Sequence, residues 1–157
     1  MMPLVDWLGA WPGAVLLRDS GTAYLFVNAA HILGVGLLVG AILPLDLCLL
    51  GLFRAVPLAV IAPFLSRVAA TGAGLAIVTG LWLFSVKPAE YVGNTAFLCK
   101  AALLATALAN VALQHGNHRF AAAVAGGVLP PTVRLAAAAS ILLWLSVLVA
   151  GRWIGFV

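Results

Sequence analysis

The sequence predicts an all-α integral membrane protein: an up-down four-helix transmembrane bundle preceded by a short interfacial helix, the whole chain forming one membrane domain. Three observations carry this. Of 157 residues, 65% are hydrophobic and 8% charged, with a mean hydropathy of +1.20, whereas a soluble domain carries about a quarter charged residues. Too few charges remain to coat a water-facing surface, so the solvent is lipid. Apolar runs of the length a bilayer demands, about 20 residues, recur along the chain. Short connections join them, which makes neighbouring helices antiparallel.

Residues 3–17 are apolar and rich in tryptophan, but Asp6, Gly9, Pro12 and Gly13 interrupt them. They are too broken to span and read as a helix lying in the interface, where Trp7 and Trp11 are at home. With no basic region ahead of the apolar one, this is not a signal-peptide pattern, and its retention is expected. Asp19 or Ser20 caps the next helix. The first span covers about 22–52, is longer than a bilayer requires, and carries Pro44, which predicts a kink. Arg54 and Pro57 mark a loop. Residues 57–66 read as a second interfacial piece, and the second span covers about 67–86. The third covers about 95–114 and the fourth about 132–155. The connection between these last two holds His115, His118 and Arg119, then Gly126-Gly127 and Pro130-Pro131.

The net charge of +4 is spread thinly and contains no basic run. It speaks for topology and contact with anionic lipid and gives no nucleic-acid footprint. Arg54, Arg67, Arg119 and Arg134 fall on one side, and Arg18, Lys87, Lys100 and Arg152 on the other. Setting aside Lys100, which lies inside a span, leaves the side of the termini less basic. That predicts both termini on the periplasmic side of a bacterial cytoplasmic membrane. Cys48 and Cys99 sit at different depths, cannot bridge, and read as small buried hydrophobes.

Two polar levels interrupt the spans. His31 lies in the first third of span one and Lys100 in the first third of the parallel span three; Arg152 ends span four on the same side. Tyr24, Asn28 and Asn94 are candidate neighbours. This level has no acid to neutralise the lysine. A histidine and a neutral lysine amine are both nitrogen donors, and facing each other across a bundle they would bind the two faces of a haem iron. Arg152 would then meet a propionate, and the small residues Gly34, Gly36, Gly40 and Ala41 would let a flat macrocycle approach the backbone. Two other readings stay open at this point: Lys100 snorkels to the near interface, and His31 hydrogen-bonds a neighbouring carbonyl. The second level holds Asp46, fifteen residues after His31, and His115, fifteen residues after Lys100. Asp46 is the acid of that level and predicts a structural ion pair with Arg67 or Arg134, with a proton-carrying role as the alternative.

The stretches His31-Ile32-Leu33-Gly34 and Phe97-Leu98-Cys99-Lys100 resemble the small four-helix membrane protoporphyrinogen oxidases of bacteria, and the wider group that includes copper-resistance D-type proteins. That resemblance implies haem b with His31 and Lys100 as the functional pair, and matches His115 to a second histidine. Over most of 20–157 the chain is also similar to a large, functionally uncharacterised family of bacterial four-span proteins. That likeness is carried by the same His-Ile-Leu-Gly opening, Asp46-Leu47-Cys48-Leu49-Leu50-Gly51, Asn94 to Lys100, and Gly151 to Ile154. Around Asp46 the chain departs from the oxidases, which carry a more basic segment there.

The expected function is a haem-b-binding membrane redox protein, of electron-transfer or oxidase type, with a quinone or another membrane redox protein as partner and a homo-oligomer among the candidate assemblies. One alternative is copper handling through His31, His115 and His118, against which stands the lack of a methionine path for a soft ion. Another is a non-catalytic structural or assembly subunit. No Ser/His/Asp set shares a level, and no phosphate loop or zinc-spaced cysteine cluster occurs, which excludes the common hydrolase and nucleotide-binding patterns.

Overall fold

A computed structural model describes residues 2–53 and 55–156. Arg54, the expected marker of the first loop, lies outside them. The described residues form α1 (Met2–Ala10), α2 (Pro12–Asp19), α3 (Gly21–Leu50), α4 (Leu58–Phe84), α5 (Pro88–Gly93), α6 (Thr95–His115), α7 (His118–Val124) and α8 (Pro131–Trp153), with a final 3-10 turn over Ile154–Phe156. Among them, α3, α4, α6 and α8 (with the turn after it) are long and apolar enough to cross a membrane. The chain is an all-α, integral membrane bundle.

The helix ends follow from local chemistry. The Ser20 hydroxyl accepts from the Ala23 amide at 3.2 Å and starts α3. Gly51 ends it in the left-handed region, φ 93°, where a side chain would be strained. Its amide and that of Leu52 satisfy the carbonyls of Cys48 and Leu47, at 2.9 and 3.1 Å. The Asn94 side chain caps α6 by accepting from the Phe97 amide at 3.0 Å. Pro131 opens α8 at a position where no amide is needed.

Two boundaries differ from expectation. The N-terminal segment forms two helices, because Pro12 cannot continue α1 and instead begins α2. The piece expected over 57–66 is no separate element: α4 runs from Leu58 through Pro63 to Phe84. Pro63 removes one backbone bond, to the carbonyl of Ala59, while the bonds on either side continue the helix.

Packing sorts the spans into two antiparallel pairs, α3 with α4 and α6 with α8, joined along α3 and α8. The α3–α4 contact is backbone to backbone. A Cβ on Gly72 would lie 2.5 Å from the Leu38 amide nitrogen and 2.7 Å from the Gly34 carbonyl oxygen. A Cβ on Gly34 would lie 2.7 Å from the Ala76 amide nitrogen. Such small-residue contacts are how helices associate in lipid, where burial of apolar surface gives no drive. One core cluster joins Leu38, Ala41, Ile42, Ala69, Ala107 and Trp144; a second joins Leu45, Leu49, Ala62, Phe120, Val133 and Ala137. Outward, Phe26, Val60, Val78, Leu113 and Leu142 are exposed, as lipid-facing side chains are.

The N-terminal helices close one end of the bundle. Trp11 Nε1 donates to Ser85 Oγ and Trp82 Nε1 to the Gly13 carbonyl, each at 2.9 Å, and the two indole rings lie 6.1 Å apart. The start of α3, the ends of α4 and α8, and the start of α6 meet at this same end.

Candidate functional site

His31 stands ten residues into α3, against the last turns of α4. Its Nδ1 lies 2.9 Å from the Ala76 carbonyl oxygen and 3.1 Å from Thr79 Oγ1. Thr79 is itself committed as a donor to the Leu75 carbonyl, at 2.6 Å. A carbonyl only accepts, so Nδ1 carries the proton and Nε2 keeps its lone pair. The ring rests on Gly80, where an added Cβ would come within 3.0 Å of Cε1. The carbonyl bond anticipated as one reading of His31 is thus made, and it leaves the other ring nitrogen available.

Lys100 stands five residues into α6. Its side chain crosses Gly151 of α8, whose added Cβ would lie 3.4 Å from Nζ. Lys100 is half-buried, and among the described residues no carboxylate lies within 4.0 Å of it. It is near enough to His31 for its charge to act on the imidazole. The helices that carry the two nitrogens, α3 and α6, do not pack extensively on one another; each is held instead by its own partner. The juxtaposition is therefore across the bundle.

An aromatic wall borders this level. Phe84 stacks on Phe97 with centroids 5.2 Å apart, and Tyr91 of α5 tilts against both at 5.9 and 5.4 Å. Burial, the neighbouring Tyr24 and the Glu90 carboxylate push the Tyr91 phenol up from its ordinary range. Sequence reasoning placed Tyr24 here but missed Tyr91, Phe84 and Phe97. Their signal is only the clustering of aromatics at the ends of adjacent segments.

Arg152 follows Gly151 and so sits at the expected level. Its guanidinium lies over the Phe156 ring, 4.7 Å from the centroid, and is exposed. The small-residue row of α3 does not line a single slot. Gly34 is consumed by the α4 contact, whereas Gly36 and Gly40 face open space. Asn94 serves as the cap of α6.

At the opposite end, Asp46 is buried, 3% exposed. The expected ion pair with Arg67 or Arg134 is not formed: both arginines are exposed, and the ion pair found among the described residues is Lys87–Glu90, at 3.0 Å. Ser140 of α8 lines the same cavity as the carboxyl, and Oδ2 has no hydrogen-bond partner among the described residues. The reason is facial. Asp46 projects toward α8 and α6, while Arg67, inside α4, and Arg134, in the first turn of α8, are exposed on the outside. His115, roughly 22 Å along α6 from Lys100 by helical rise, belongs to this end. It does not join His31, and it is exposed with Nδ1 3.0 Å from the Val111 carbonyl.

Both cysteines are free; Cys48 is buried, and Cys99 is exposed, contrary to expectation, because α6 turns that side outward. Among the described residues no three His, Cys, Asp or Glu side chains gather into a metal-holding group. A copper site would have to draw on histidines from both ends of the bundle.

Residues 10–157 match a family of unknown function, DUF6644. The chain belongs to that family. Neither a curated protein nor a solved structure matches it. The expectation of a functionally uncharacterised family is thereby met.

Chemically, the first level offers two nitrogens on separate helices, Nε2 of His31 and Nζ of Lys100, that make no hydrogen bond among the described residues. Neutral, such nitrogens are lone-pair donors.

Proposed function

We propose that this chain is a haem-b-binding redox protein of the bacterial cytoplasmic membrane, passing electrons between a quinone or similar donor and a second membrane redox partner. One observation carries the reading. The Nδ1 proton of His31 is committed to the Ala76 carbonyl, which orients the ring and leaves Nε2 as a bare donor, and Lys100 is close enough to act on the imidazole electrostatically. Metal-ligating histidines characteristically use their second nitrogen in this way.

The donor set fits the group. Nitrogen ligands suit haem iron. His31 Nε2 and Lys100 Nζ would hold it, and Arg152 would meet a propionate at the membrane surface. The haem supplies one-electron chemistry when bound. The protein's own contribution is to fix the imidazole tautomer through Ala76 and Thr79, to hold the lysine against Gly151, and to line the site with Phe84, Tyr91 and Phe97. The likeness of the His31 and Lys100 stretches to the four-helix protoporphyrinogen oxidases supports the same assignment.

The test is an absorption spectrum of protein purified in mild detergent from haem-replete cells, oxidised and reduced. A Soret band with reduced α and β bands is expected. It is abolished in His31→Ala and shifted or weakened in Lys100→Ala. A colourless wild-type protein refutes the reading, as does a band that survives both substitutions unchanged.

A further inference from the structure

The second polar level holds a feature that the redox reading leaves unused. Asp46 is 3% exposed and its Oδ2 has no hydrogen-bond partner, yet it borders a small cavity between α3, α6 and α8. The volume is about 20 Å³. That is room for one water, which needs some 10–15 Å³ measured in this way and two to four polar partners. The polar lining is Asp46, Ser140, Asn110, Gln114 and His115, and Phe120 of α7 closes the side. Asn110 Nδ2 donates to the Ala136 carbonyl at 3.1 Å, which leaves its amide oxygen as an acceptor.

Charge accounting narrows what this site does. A carboxylate buried without a cation is strongly unfavourable, and the group neutralises instead. No lysine or arginine comes within 4.0 Å of Asp46 among the described residues. The titratable side chain that faces the cavity from α6 is His115. Those on the other packed elements (Arg67 on α4, His118 and Arg119 on α7, Arg134 on α8) are exposed and outside it, and Cys48 on α3 is buried. His115 is exposed, with its ring centroid 5.0 Å from that of Phe120. With Nδ1 on the Val111 carbonyl, its Nε2 is a bare base at the cavity's edge.

We propose that Asp46 is a proton-exchange site. It holds a proton in the folded protein and trades it with the nearer aqueous face through one cavity water and the imidazole of His115. The step balances as acid–base transfer alone. The Oδ2–H bond breaks, its proton passes to the water, and a proton of that water forms Nε2–H on His115. The imidazolium then releases it to bulk water, and uptake is the reverse. No electron moves, so the site stands whether or not a haem is bound.

Infrared difference spectroscopy of the full chain in lipid vesicles, on exchange from H₂O to D₂O, tests this directly. The other three carboxyl side chains, Asp6, Asp19 and Glu90, are exposed, so a protonated-carboxyl C=O band at neutral pH belongs to Asp46. That band is expected in wild type, to shift on deuteration, and to vanish in Asp46→Asn. Asp46→Glu moves it rather than removing it, and covers the case in which the asparagine variant fails to fold. His115→Ala, at an exposed position, retains the band but slows its deuteration by at least about tenfold. Absence of the band in wild type overturns the proposal, as does unchanged exchange in His115→Ala. A band that disappears on adding sodium at constant pH overturns it in favour of a cation site.

Discussion

Gly72→Ala tests the packing that fixes His31. The added Cβ falls 2.5 Å from the Leu38 amide nitrogen and 2.7 Å from the Gly34 carbonyl oxygen. Both are backbone atoms and neither can rotate away. Ordinary contact begins at 3.4 Å, so α3 and α4 must part by about 0.9 Å at this point. Overpacking of this kind costs about 1–3 kcal/mol. The same separation carries the His31–Ala76 bond, now 2.9 Å, to about 3.8 Å, beyond hydrogen-bonding range. Losing it adds about 1 kcal/mol and frees the imidazole to change tautomer. Gly36→Ala is the control on the facing helix, α3: nothing lies within 4 Å of its Cβ, and its expected effect is within about 0.5 kcal/mol. Unfolding in mixed detergent micelles, followed by circular dichroism, gives the two stabilities. Nitrogen NMR of the His31 ring gives the tautomer. The reasoning fails if Gly72→Ala unfolds with Gly36→Ala, or if it unfolds early while His31 keeps its Nδ1 proton.

Two further outcomes follow from the terminus end of the bundle. Trp82→Phe removes the donor to the Gly13 carbonyl, a loss of about 1 kcal/mol. The N-terminal helices should then be cut about fivefold faster by a protease present at low concentration, while the four spans stay intact. In Tyr24→Phe, where Tyr91 is the remaining tyrosine, ultraviolet titration should show it ionising above the ordinary tyrosine range, because burial and the Glu90 carboxylate still disfavour the phenolate. A normal titration would mean that Tyr91 is not packed against Phe84 and Phe97.

Much of the fold is legible in the sequence because lipid imposes it. A span must be apolar for the thickness of the bilayer and must satisfy its own backbone, so length and hydropathy are enough to place α3, α6 and α8. Ser20 was legible as a cap for the same local reason. Pro63 misleads, since a proline reads as a break when the helix can afford to lose one bond. The site was half legible. That His31 and Lys100 share a level follows from helical rise, because spans one and three run parallel.

The sequence by itself determined the number of spans, the two polar levels and which residues stand at each. Only the tertiary structure decided which way the side chains face. Helix rotation set Asp46 toward Ser140 and a cavity instead of toward Arg67 or Arg134, turned Cys99 outward, and divided the glycines of α3 between a contact with α4 and open space. The same rotation laid His31 against the Ala76 carbonyl and Lys100 across Gly151. Depth is written along a single helix, whereas facing depends on which neighbour that helix packs against. In lipid that choice rests on small-residue contacts such as Gly34 with Gly72, which identify themselves only once the two helices are brought together.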